Sequence, residues 1–248
     1  MDRLKGKRCL ITGGTSGIGL ETARQFVAEG ARVAITARSA EAFKPVRHEF
    51  GDGVVYIISD ASDAAEQKKV AERIMQEFGG LDVLFVNAGL AELKAIGQCD
   101  EAAFDRSFHT NVRGPFFLIQ ALLPLFSNPA SIILNASINA HIGMPNTSIY
   151  GASKAALLSL SRTLSGELIS RGIRVNAVSP GPIATPLYSK LGLSDTELRA
   201  TAEGLQKQIP AQRFGQPSEI ARAVVFLASD ESAFTVGSEL IVDGGLGL

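Results

Sequence analysis

Thr12-Gly13-Gly14-Thr15-Ser16-Gly17-Ile18-Gly19 follows the apolar run Cys9–Ile11 and leads at once into a helical pattern over Ile18–Ala28. Strand, glycine-rich turn and helix, in that order, seat the diphosphate of a dinucleotide on backbone N–H groups at a helix N-terminus. Gly13 permits the tight turn, Gly17 lets a diphosphate approach, and Gly19 lets the helix lie close to the strand. The spacing is G-x-x-x-G-x-G rather than G-x-G-x-x-G, and the closing Lys-Ser/Thr of a nucleoside-triphosphate loop is missing. Read alone, the loop indicates a dinucleotide and names no reaction.

The same rhythm continues on both sides of it. Strands are predicted at Arg8–Thr12, Arg32–Thr36, Val54–Ile58, Val83–Val86, Ser131–Asn135, Arg174–Val178 and Glu239–Val242, several of them near-continuous apolar runs as in sheets buried on both faces. Helical patterns fall between them, at Ile18–Ala28, Ala40–Phe50, Ala64–Phe78, Glu101–Leu125, Thr147–Ser170 and Pro217–Ala228. Gly30 and Gly172 follow helices, and Gln216-Pro217-Ser218-Glu219 reads as a helix entry with Pro at its first position. This alternation predicts an α/β Rossmann fold, a doubly wound seven-stranded parallel sheet with helices on both faces. No repeat or linker divides the chain, so residues 1–248 read as a single domain, with a substrate-binding flap around 185–212 where the rhythm is interrupted.

Composition excludes several classes of function. A formal net charge of −1 leaves no electrostatic footprint for nucleic acid or an anionic membrane. The longest apolar stretch, Phe116–Phe126, is broken by Gln120 and Pro124 and suits a buried helix rather than a membrane span. The charged N-terminus has no signal-peptide pattern, and Cys9 and Cys99 read as reduced thiols, which together predict a cytoplasmic protein. His48, His109 and His141 lie far apart, with no spacing that holds a metal.

Chemistry enters at Tyr150-Gly151-Ala152-Ser153-Lys154, where Tyr and Lys at i and i+4 share one helix face. Ser137 lies just past the fifth predicted strand, 13 residues before the tyrosine. Carboxyl ends of parallel strands form the ligand crevice of such sheets. A phenol near an ammonium can exchange a proton with a carbonyl or alcohol oxygen. A lone YxxxK is commonly a surface pair; its coincidence with Ser137 and the glycine loop gives it weight.

These motifs resemble the short-chain dehydrogenase/reductase family, in order and over nearly the whole chain. Thr12–Gly19 resembles its TGxxxGxG loop, in which Thr15, Ser16 and Ile18 join the glycines at the cofactor. Asn87-Ala88-Gly89 resembles its NNAG segment, with Val86 replacing the first Asn. Pro180-Gly181 with Ile183 and Thr185 is similar to its nicotinamide segment, and Val242-Asp243-Gly244-Gly245 to its closing motif. Ser137, Tyr150 and Lys154 match its catalytic residues, and Asn111 falls where the family places a fourth. The resemblance implies reversible hydride transfer between a nicotinamide and a carbonyl/alcohol pair. Tyr150 would be the acid in reduction and the base in oxidation. Lys154 would lower its pKa and bind the nicotinamide ribose, Ser137 would hold the substrate oxygen, and Asn111 would hold a water linking Lys154 to solvent. Asp60 and Ala61 fall where the family contacts adenine, and a homotetramer is implied, built on the long helices and the C-terminal strand.

Two features refine the expectation. The second predicted strand ends in Thr36-Ala37-Arg38-Ser39 with no acid before Glu41. A carboxylate there would repel a 2′-phosphate, whereas Arg38 offers it a planar fork and Ser39 a hydroxyl, so the cofactor is expected to be NADP(H). The segments that contact substrate in the family here supply Leu90, Ile142, Met144, Ile183, Leu187, Tyr188 and Leu191, a mainly apolar set suited to a hydrophobic ketone or secondary alcohol. A 3-oxoacyl-carrier-protein reductase is the alternative enzyme, with Arg171 as part of a basic rim. A dinucleotide-sensing regulator is the alternative outside enzymes, for which an intact Asn111–Ser137–Tyr150–Lys154 set would have no use.

Overall fold

A computed structural model describes residues 2–185 and 195–248. Among them, β1 (Arg8–Ile11), β2 (Arg32–Ala37), β3 (Val54–Ile58), β4 (Leu81–Val86), β5 (Phe126–Asn135), β6 (Ile173–Pro180) and β7 (Glu239–Val242) form one sheet. Its order is β3-β2-β1-β4-β5-β6-β7 and every pairing is parallel. Strand order reverses between β1 and β4, so the loops leaving these two strands diverge and open a crevice at their carboxyl ends.

Both faces of the central strands are buried, which is why these read as apolar runs rather than alternations, whereas the edge strands β3 and β7 are partly exposed. Leu10, Leu84, Ile132 and Val175 pack on one face with residues of α3 (Ala64–Phe78), α5 (Gly114–Leu122) and α6 (Ser148–Leu168). Their strand neighbours Ile11, Val83, Phe85 and Ile133 pack on the other with α1 (Gly17–Ala28), α2 (Lys44–Phe50) and α8 (Pro217–Ala228). Caps follow the sequence signals: Asp63 accepts a hydrogen bond from Ala65 N at 2.8 Å to open α3. Glu219 accepts one from Gln216 N at 2.7 Å as half of a capping box before Pro217.

Two stretches differ from expectation. The stretch Glu101–Leu125 is not one helix: α4 (Glu101–Phe108) passes through a π turn, His109–Arg113, into α5 and ends in a 3-10 turn. Pro115 supplies the reason, because it has no N–H to give the Asn111 carbonyl four residues earlier, the bond an α-helix requires there. Gly114 lets the start of α5 lie against the loop after β3, since a Cβ there would overlap the Ala61 carbonyl. The interrupted region contains a helix, α7 (Asp195–Gln208), that its sequence did not announce. Residues 187–191, named above for the substrate pocket, lie outside the described residues.

Candidate active site

The turn after β1 is held open by its own hydrogen bonds. Gly13 takes φ +67°, a backbone region that favours glycine, and its N donates to Thr36 Oγ1 at 3.2 Å while Gly14 N donates to Thr36 O at 3.1 Å. A Cβ on Gly19 would lie 2.5 Å from Asn87 Nδ2 and against the Gly13 carbonyl, so only glycine allows α1 to start this close to β1. Gly14, unassigned in the motif reading, also has no room for a side chain: a Cβ would lie 2.5 Å from Ile35 Cγ2. Thr15 is half-buried beside it, and Gly17 packs against Thr185, whose Cγ2 would be 3.3 Å from an added Cβ. Ser16 precedes α1 in extended conformation with no capping bond from its side chain, and the first turn, with Ile18, contains no acid. Donors at this helix end are therefore uncontested by the chain itself, as an anionic diphosphate requires.

Asn87 braces the crevice floor. Its N donates to Thr12 Oγ1 at 2.9 Å, its Nδ2 to Thr12 O at 2.9 Å and Gly13 O at 3.1 Å, and its Oδ1 accepts from Asn135 Nδ2 at 3.0 Å. Ala88 N adds a bond to Thr12 Oγ1 at 2.9 Å. Val86, the departure from the family pattern, is a core residue 3% exposed. One amide thus joins β1, β4 and β5.

Around that floor the remaining residues gather. Arg38 and Ser39 are exposed at the end of β2, and Arg38 has no hydrogen bond or ion pair among the described residues. Asp60 Oδ1 accepts from Ser62 N and Oγ at 2.8 and 2.7 Å, a local turn that leaves Ala61 half-buried below Gly114. Gly181 N donates to Val242 O at 3.0 Å, and a Cβ on Gly181 would meet Asp243 Cα at 2.6 Å, so Pro180-Gly181 and the closing motif form one unit. Ile183, 6% exposed, bridges to Gly215 and joins the core cluster containing Ile11 and Phe85. Its side chain therefore takes part in core packing. Leu90, Ile142 and Met144 are half-buried.

The reactive set converges from three elements. Ser137, just past β5, caps a short turn over Ile138–Ala140 through Asn139 N to its Oγ at 3.2 Å. α6 carries Tyr150 and Lys154, and Lys154 Nζ lies 5.8 Å from the Tyr150 ring centroid. Lys154 is 4% exposed and donates to Asn135 O at 2.6 Å. Asn135 Oδ1 is buried without a partner on that same residue. The Asn111 side chain is fully engaged: Oδ1 accepts from Leu90 N at 2.8 Å, and Nδ2 donates to Leu90 O at 2.8 Å and Ser153 Oγ at 2.9 Å. A Cβ on Gly89 would lie 3.3 Å from Asn111 Oδ1 and 3.4 Å from Lys154 Nζ, which puts the π turn, the loop after β4 and α6 at one point. Asn135 and Ser153 are members the motif reading missed; each acts through bonds across the fold that no sequence spacing encodes.

Burial dominates the electrostatics. It pushes the Tyr150 phenol above its ordinary value, opposed by a hydrogen bond with Ser137. It also lowers the Lys154 ammonium to about 8. Lys154 is not among the groups that move the phenol, and Tyr150 stays protonated through neutral pH.

Comparison with known proteins agrees with this geometry. Residues 13–247 match the family described as Enoyl-(Acyl carrier protein) reductase. A 3-oxoacyl-(acyl-carrier-protein) reductase of Thermotoga maritima is 37% identical over 98% of this chain and 99% of its own length. The NADP-dependent (R)-specific alcohol dehydrogenase of Lentilactobacillus kefiri is 37% identical over 98% of both chains. L-sorbose reductase of Gluconobacter frateurii, solved with NADPH and L-sorbose, superposes with a TM-score of 0.91 at 32% identity, over 100% of this chain and 99% of its own. A seven-stranded parallel sheet, a glycine turn at its switch point and a half-buried Tyr beside a buried Lys fit a nicotinamide oxidoreductase. The chain belongs to the short-chain dehydrogenase/reductase family.

Proposed function

We propose that the protein is an NADP(H)-dependent reductase of carbonyl compounds, acting reversibly on a hydrophobic ketone or secondary alcohol. The observation that carries this reading is the convergence of Ser137, Tyr150 and Lys154, with Asn111 beside them, at the carboxyl ends of β4 and β5. The glycine turn fits a dinucleotide in its open helix end and its lack of room for side chains, and a bound reduced nicotinamide supplies the hydride. Tyr150, kept neutral by burial, gives its phenolic proton to the oxygen that develops negative charge. Ser137 Oγ donates to the same oxygen and polarises it. Lys154, fixed by the Asn135 carbonyl, keeps further N–H donors for the ribose and stabilises the phenolate left on Tyr150. The Asn111 side chain is spent on Leu90 and Ser153, so its backbone carbonyl, deprived of a helical donor by Pro115, is the group that would hold a relay water. Arg38 supports NADP over NAD, as do the NADP dependence of the Lentilactobacillus enzyme and the NADPH bound to the Gluconobacter reductase.

Reduction of acyl-carrier thioesters is the second reading, favoured by the Thermotoga relative. NADPH oxidation by the purified protein, measured against aryl and alkyl ketones, a keto-sugar and 3-oxoacyl thioesters, separates them. The highest kcat/KM should fall on an apolar ketone, and a preference for the thioester would replace this reading with the second.

Two further points belong to the proposal. No helix among the described residues is long and apolar enough to cross a membrane, which is compatible with a cytoplasmic enzyme. A homotetramer is supported by apolar residues left exposed on β7, Leu240 and Ile241, and on α4 and α5, Phe104 and Phe116. Light scattering should give about four chain masses, and a concentration-independent monomer would refute the assembly.

A further inference from the structure

One carboxylate oxygen ties three elements together at the edge of the sheet. Glu239 Oε1 lies 2.6 Å from His141 Nε2 and accepts a hydrogen bond from Ser179 Oγ at 2.5 Å. Ser179 is fully buried near the end of β6, Glu239 opens β7 with a side chain 18% exposed, and His141 follows the turn that Ser137 caps. These contacts have a direction. Strand pairing of Ser179 with Ile241 fixes the serine, so its hydroxyl aims the carboxylate, and the carboxylate in turn holds the imidazole.

What His141 holds is a unit. His141 N and Ile142 N both donate to Ile138 O, at 2.9 and 3.2 Å, and Ala140 N donates to Ser137 O at 3.0 Å. Residues 138–143 make no hydrogen bond to another element among the described residues except through His141. The segment that fixes Ser137 on one side and presents Ile142 and Met144 on the other packs through Ile138, 2% exposed, and has its one hydrogen-bonded tie to another element, among the described residues, at His141.

We infer that Glu239 is a positioning residue of the active site: acting through His141, it sets where Ser137 and the substrate-side segment stand. The inference rests on the hydride-transfer reading above and concerns the carbonyl side alone, since no contact of this clamp reaches the glycine turn. It also assigns His141 a task, anchoring rather than proton transfer.

The test is a double-mutant cycle on Glu239→Leu and His141→Leu, with carbonyl kcat/KM, NADPH affinity by fluorescence titration, and amide hydrogen exchange over residues 137–144. Each single change should lower kcat/KM for the carbonyl about tenfold, the scale of a hydrogen bond to a charged group, and leave NADPH affinity within about twofold. The double variant should be no worse than the worse single one. Exchange in the segment should quicken in every variant, and Glu239→Gln, which keeps an acceptor oxygen, should recover most of the loss. Additive losses, unchanged exchange, or a Gln variant as impaired as the Leu variant would each overturn the inference. If the unaltered protein reduces no carbonyl, the catalytic reading fails, while hydrogen exchange still decides whether the clamp exists.

Discussion

Replacing Tyr150 with phenylalanine should lower kcat by about 10²–10⁴-fold with NADPH affinity unchanged. The ring stays and only the hydroxyl goes, so packing on α6 is preserved and the loss reports on proton transfer. Burial raises the phenol's pKa, so at neutral pH the group is the acid that carbonyl reduction needs. The opposite step, alcohol oxidation, needs the phenolate, and the raised pKa predicts that its rate climbs towards alkaline pH. Stopped-flow NADPH oxidation beside a binding titration measures both quantities. A variant that kept more than about a tenth of the wild-type turnover would remove Tyr150 from the chemistry.

Replacing Arg38 with aspartate should invert the cofactor preference. Arg38 stands at the end of β2 with no carboxylate partner among the described residues, and the nearest acid along the chain, Glu41, opens the following turn. A guanidinium there pairs with a 2′-phosphate in two parallel bonds, while an aspartate repels the phosphate and accepts from a free 2′-hydroxyl. The cost to NADPH should be roughly 2–5 kcal/mol, towards the lower end because Arg38 is exposed before the cofactor covers it. The ratio of kcat/KM for NADPH and NADH, in both proteins, is the measurement. Equal values in the unaltered protein would show that another group reads the ribose.

Local signals carried the fold because the central strands are buried on both faces and most turns carry their own residues. Cys9–Ile11 before Gly13, Asp63 before Ala64, and Pro217 after Gln216 are decisions made within a few residues. The π turn escaped because apolar periodicity runs unbroken from Phe108 to Leu122; Pro115 four residues after Asn111 was the signal that could have located it. α7 escaped because Asp195–Gln208 is polar overall and its apolar stripe, Leu198, Ala202 and Leu205, is sparse. The site divides along the same line. Tyr150 and Lys154 share a helix face, which spacing predicts, whereas Asn135 O on Lys154, Ser153 on Asn111, and Glu239 on His141 are meetings across 19, 42 and 98 residues of chain. Burial, which raises the Tyr150 phenol, is a property of the assembled fold.

The Asn87 brace has a consequence for how a dinucleotide gets in. At the switch point the chain leaves β1 and β4 in opposite directions, so the sheet there resembles an open book whose spine is the β1–β4 pairing. Asn87 sews that spine through both pages, to Thr12 and Gly13 on one side and to Asn135 on the other. The book therefore cannot widen by bending at its binding without breaking several polar bonds in a half-buried floor. Ligand entry must be accommodated by the margins, the Arg38 rim and the segments around Ser137 and Thr185. The ordering entropy of the floor is already spent during folding, so none of it is deducted from the affinity for cofactor.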